Sequence, residues 1–185
     1  MAARTGCWRR LWGDRSGIAA VEFALVLPVM ILFSLGIAEV GRFALLTLKL
    51  QHAANTMADL ASRDEELSLA AVQSMFSAMQ HIVQPFDLGS DGLVIVSGVG
   101  VDNGSPPTVF WQEEGAGALE ESSTIGSDGG DATLPADLIL RDGETVIVAE
   151  AYFHYTPWLL RIVPETILRR MAFYRPRLGT LRSLT

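Results

Sequence analysis

The stretch Gly17-Ile18-Ala19-Ala20-Val21-Glu22-Phe23-Ala24-Leu25-Val26-Leu27-Pro28 decides how the rest of this chain is read. Before it lies a basic lead-in with two tryptophans; after it the apolar run continues to Ala38. Ile18 to Ala38 as a helix is about 31 Å long, enough to cross a hydrocarbon core of about 30 Å. Pro28 removes one backbone hydrogen bond within that run. Membrane helices tolerate the loss where neighbouring groups compensate, so a kink, or a softened point between packed subunits, is expected there. Glu22 is the anomaly. A charge at mid-span costs about 2.5–3.5 kcal/mol on insertion scales, and less near the edge.

A cut after Gly17 would make Glu22 the fifth residue and give Ile18 a new positive amine. The acid then has a partner within one helical turn, on its own chain or on a neighbour alongside. A glycine, then a glutamate five residues on inside an apolar helix, behind a basic leader, resembles the processing signal of type IV pilin-like proteins. Ala20-Val21-Glu22-Phe23-Ala24-Leu25, the proline, and Gly36-Ile37-Ala38-Glu39-Val40-Gly41-Arg42 are similar to the TadE-like pseudopilins of the tight-adherence (Flp) pilus. Major Flp pilins are far shorter and usually carry tyrosine after the glutamate, so Phe23 and the length argue against a major subunit. The strong part of the resemblance runs from Arg15 to Arg42.

The resemblance implies a structural subunit for pilus assembly, not an enzyme. A prepilin-type peptidase would act at Gly17–Ile18, where a residue without a side chain suits the bond, and the analogy with type IV pilins extends to methylation of Ile18. Glu22, followed by Phe23, would serve assembly by pairing with an N-terminal amine. The implied partners are the inner membrane, the peptidase, other Tad pseudopilins and the major Flp pilin, with an assembly ATPase and its platform protein acting indirectly. The alternative from a different class is an uncleaved, membrane-anchored extracytoplasmic binding or adhesin module.

Composition agrees with an exported, acidic product. The net charge is −7, and Met1–Gly17 carries Arg4, Arg9, Arg10 and Arg15 against Asp14, so its loss leaves −10. Such a chain is a poor nucleic-acid binder, because neutralisation of phosphate by Lys and Arg dominates that affinity. Arginines ahead of the span place the N-terminus in the cytoplasm of a bacterium and the remainder in the periplasm or outside the cell, as a single-pass inner-membrane protein. An ordinary signal peptide would be cut after its apolar run, and no small-x-small site precedes a polar domain here. The one cysteine, Cys7, lies in the leader without an apolar lipobox, so neither a lipid anchor nor a disulfide is expected in the product.

Past the span, Glu39 and Arg42 stand three residues apart, where a solvated ion pair at the membrane exit is expected. Leu46, Leu50, Ala53, Met57 and Leu60 then form a narrow apolar stripe, laid on the chain's own domain or on a partner. Two readings of Ser62–Ser68 compete: a continuing helix with Ser62 and Glu65 as a capping box, or a break with Ser68 capping a new helix; the break is preferred. Val72, Phe76, Met79 and Val83 define a second amphipathic helix ending at Pro85.

From there the period becomes two. Leu93–Val101, Thr108–Gln112, Glu144–Tyr155 and Leu168–Arg175 read as strands, with Asp102–Pro107 a turn and 113–133 a mobile glycine-, serine- and acid-rich loop. The organisation expected is a leader over 1–17, a transmembrane and stalk helix over 18–61, and an extracytoplasmic α+β domain over 62–185. That domain would be a small antiparallel sheet packed on one or two helices.

No catalytic residue, metal site or cofactor is expected. His52, His81 and His154 lack ligand spacing, and no nucleophile motif or phosphate loop stands out. Asp128 and Asp131 with Asp87 and Asp91 could collect calcium, but such loops are usually solvated turns. Trp158, Leu159 and Leu160 follow the best strand; they either close the core or meet the membrane surface or a partner pseudopilin, tryptophan being favoured at the membrane surface.

Overall fold

A computed structural model describes residues 17–185. Residues 1–16, which with Gly17 make up the expected leader and include Cys7, lie outside the described residues. Helix α1, Ile18–Ala61, is one continuous element of 44 residues, about 66 Å long. Pro28 sits inside it without ending it. Every residue from Ile18 to Ser34 is exposed, whereas Leu46, Leu50, Ala53, Ala54, Met57, Ala58 and Ala61 are fully buried. The helix therefore extends past the apolar span, and its stripe is laid on the chain's own sheet and second helix.

α1 stops because Ser62 turns back on it. The Ser62 N–H bonds to Ala58 O and its hydroxyl donates to Asp59 O at 2.8 Å. The chain breaks, and Ser68 starts α2, Leu69–Val83, by accepting a hydrogen bond from the Ala71 N–H at 3.2 Å. Val72, Phe76, Met79 and Val83 are its buried face, as the spacing predicts. The C-terminal tail ties down this break. Arg177 N–H donates to Ser62 O, Leu69 N–H to Thr185 O and Thr185 N–H to Leu67 O.

A single turn, α3, Leu88–Asp91, is capped by Asp87 and leads into the sheet. The strands are β1 (Gly92–Gly100), β2 (Thr108–Gly115), β3 (Thr145–Tyr155) and β4 (Thr166–Tyr174), antiparallel in the order β2-β1-β3-β4. β2 runs three residues further than its apolar pattern, because Glu113, Glu114 and Gly115 pair with Val96, Ile95 and Val94. A bulge at Gly98/Val99 accompanies a close approach. A Cβ on Gly98 would lie 2.2 Å from Nε1 of Trp111, whose indole crosses it to donate to Leu181 O at 2.7 Å.

The sheet is covered on both faces. Val94, Val96, Ile147, Ala149, Ala151, Phe153 and Tyr155 pack on α1 and α2. Val99, Val109, Val146 and Val148 pack on Ile125, Leu134, Leu138 and Leu140 of the irregular segment between β2 and β3. This corrects the expectation of a mobile loop over 113–133. The fastening is Glu150, buried on β3, whose carboxylate accepts from the hydroxyls of Ser123, Thr124 and Tyr152 and from the Thr124 N–H. Arg169 lies 3.8 Å away and offsets part of the cost of burying the charge.

Candidate functional site

The exposed half of α1 holds the residues singled out by the sequence. Gly17 precedes the first turn with its carbonyl accepting from the Val21 N–H at 3.1 Å, and a Cβ there would meet nothing within 4 Å. Ile18, Glu22 and Phe23 all stand exposed, Phe23 at 60%. Ile18 and Glu22 are four apart, so they share a face one turn apart. Among the described residues no salt bridge reaches Glu22. By length and composition this helix can cross a membrane, and no residue of its most apolar window is buried. A contiguous apolar surface of this kind is what a lipid-facing or subunit-facing segment presents.

At the other end of the span the structure corrects the sequence. Glu39 is fully buried, and the solvated Glu39–Arg42 pair does not form. The Tyr155 hydroxyl donates to Glu39 Oε1 at 2.5 Å. The Trp158 N–H donates to Oε1 at 3.0 Å and the Leu159 N–H to Oε2 at 2.8 Å. These are charge-assisted bonds, roughly twice as strong as neutral ones, and they replace the water that burial removed. Arg42 turns instead to the rings of Phe86 and Tyr155, its guanidinium carbon 5.2 and 6.0 Å from their centroids, and donates to Thr156 O at 3.4 Å. Phe43 meets Tyr155 edge-on at 5.1 Å. Burial, followed by the bond to Glu39, pushes the Tyr155 hydroxyl up to about 12.

This clasp draws the segment after β3 onto α1. Leu160 and Ile162 lie against Leu32, Phe33, Gly36 and Val40 in an apolar groove. Gly36 permits the approach, since a Cβ on it would come within 3.1 Å of Ile162 Cδ1. Trp158 is 70% exposed and Ile162 54% exposed, so of the two sequence readings of Trp158–Leu160 the closure of the core is not the one adopted by Trp158. Sequence reasoning misread Glu39 as half of a solvated pair and did not single out Ile162. The signal for Glu39 was the one applied to Glu22: an acid flush with an apolar run needs partners.

The remaining candidates are dispersed. His154 meets Glu165 at 2.9 Å, His81 lies 3.4 Å from Gln84, and His52 is on the exposed flank of α1. Asp87 is engaged as a helix cap by the N–H groups of Gly89 and Ser90. Among the described residues no group of three or more His, Cys, Asp or Glu side chains is arranged to hold a metal ion.

No curated protein and no solved structure matches the chain. Residues 17–59, which include Gly17, Glu22, Glu39 and most of the buried stripe of α1, match the family described as TadE-like protein, so that over this segment the resemblance read from the sequence is shown.

Proposed function

We propose that this chain is a processed pseudopilin, a minor pilin-like subunit for assembly of a Flp/Tad adherence pilus. Association with the Tad pilus is supported by the family match over residues 17–59. The observation that carries the pseudopilin reading is the division of α1. One half, with Glu22, is bare and apolar; the other half is the centre of a folded domain. A helix built this way transmits any force on its bare half to the whole domain, as extraction from a membrane into a filament requires.

Cleavage beside Gly17 by a prepilin-type peptidase leaves Ile18 as the amine and Glu22 as its counter-ion. The amine is either the subunit's own or that of a neighbour. In low dielectric the pair attract strongly, whereas either alone carries an uncompensated desolvation cost. The subunit does no chemistry; the peptidase, the assembly ATPase and the platform protein do it. Its site of action is the bacterial inner membrane, N-terminus cytoplasmic, with 62–185 on the far side. The proposal is tested by recovering the protein from membrane and sheared-pilus fractions and asking with which pilins it crosslinks. Recovery only as a lone membrane protein, with normal piliation when the gene is deleted, contradicts it.

A further inference from the structure

We propose that residues 158–162 form a second membrane contact, an interfacial wedge held against the anchor helix by Glu39, whose ligand is the headgroup and upper acyl region of the same bilayer. The inference rests on the reading of α1 as a membrane-crossing helix with Ala38 near its outer end. Ile162 packs on Gly36, two residues inside that end, and its neighbour in the groove, Phe33, lies a further three residues, about 4.5 Å, deeper along the axis. The loop is thus carried to the depth of the last span residues, not held above them. Trp158, Leu159 and Ile162 are exposed there, and Leu160 and Ile162 join the bare apolar surface of α1 through the groove they share with Phe33, Ile37 and Val40.

Irregular backbone near hydrocarbon is costly, because unpaired N–H groups find no water. The carboxylate of Glu39 answers that cost by accepting from the N–H groups of Trp158 and Leu159. This gives a buried acid at the membrane exit a purpose other than a surface ion pair. The side chains suit the boundary. Tryptophan is favoured at headgroup level, and the exposed Arg161, at a left-handed φ of 50°, can snorkel to lipid phosphates. Two contacts, helix and wedge, fix the tilt of the domain on the bilayer, where one helix alone leaves it free to swing.

The test uses the full chain with its one cysteine changed (Cys7→Ser), reconstituted in phosphatidylcholine–phosphatidylglycerol vesicles, with a nitroxide attached after Ile162→Cys. Leu25→Cys, at mid-span, and Ile139→Cys, an exposed residue near the far end of β3, are the references. The label at 162 should be open to oxygen and shielded from a water-soluble nickel chelate, as at 25, while 139 reads as aqueous. Adding Glu39→Ala should move the 162 reading towards that at 139; no movement removes Glu39 from the proposal. An aqueous 162 with 25 in hydrocarbon overturns the wedge alone, whereas an aqueous 25 overturns the anchor reading beneath it. A label at 162 shielded from both probes and broadened by a second label shows that another copy covers the loop, and also overturns the proposal.

Discussion

Tyr155, the last residue of β3, donates its hydroxyl to Glu39 at 2.5 Å, joining the end of the sheet to the point where the apolar run of α1 finishes. Those two residues stand 116 positions apart. Their contact fixes where the domain sits along the helix, and Trp158 and Leu159 follow from it. Tyr155→Phe should keep the ring packed on Phe43 yet leave a buried carboxylate short of one donor. We expect a lowered thermal midpoint in detergent with unchanged helix content. An unaltered midpoint would remove the hydroxyl from the account.

Alkaline pH reads the same bond. Tyr155 is pushed up to about 12 by burial and then by Glu39, and Tyr152 to about 12 by burial and then by Glu150. A raised phenol contributes stability that is complete below its ordinary value near 10 and lost as pH rises through the folded value. Phenolate absorbance should therefore show these two tyrosines ionising near pH 12, with unfolding over pH 10–12. Tyr155→Phe should remove one of the late steps. If both ionise near pH 10 in folded protein, the burial described for them is wrong.

The second half of α1 predicts a contrast between its buried and its exposed face. Met57 is fully buried, so Met57→Ala should cost about 2–5 kcal/mol of domain stability through lost contacts and a cavity. Leu48, 68% exposed, should change it by no more than about 0.5 kcal/mol as Leu48→Ala. Denaturant unfolding of the solubilised chain checks both, and equal effects would contradict the packing of α1 on the sheet.

Much of this fold was legible because it is local. Ser68, the three-and-four spacing of Val72 to Val83, and Pro85 mark α2; alternation marks β3 and assigns Ile147, Ala149, Phe153 and Tyr155 to one face. What escaped depends on distant partners. Glu39 looks like half of a surface pair with Arg42 until the backbone of residues 158 and 159 arrives. Glu150 likewise looks like an ordinary strand acid, and nothing near it in sequence announces Ser123 and Thr124. The extension of β2 over Glu113 and Glu114 was hidden by polar side chains at a sheet edge, where pairing is through backbone.

Glu22 should matter to association and not to insertion. Glu22→Ala retains the helix and the glycine before it, so the variant is expected to enter the membrane and be cut, yet fail to co-purify with pilus components and reduce surface pili. Glu22→Asp, with the charge one methylene short, should fall between the two. Normal partner recovery and piliation in Glu22→Ala would leave Glu22 an incidental acid near the membrane edge.

Orientation is checked by a reporter fused after Gly89, the second residue of the single turn α3 beyond the anchor. It should be active only outside the cytoplasm. Activity inside would end the single-span topology.

The central claim, that the chain matures into a pilin-like subunit, is tested most directly by the intact mass and N-terminal residue of the protein recovered from membranes of the native host. The account predicts a chain that begins at Ile18 and lacks residues 1–17, and a Gly17→Leu variant that stays at full length because the peptidase cannot seat a side chain at the bond. A wild-type protein that keeps its leader, or a wild type and variant sharing one N-terminus, would contradict it.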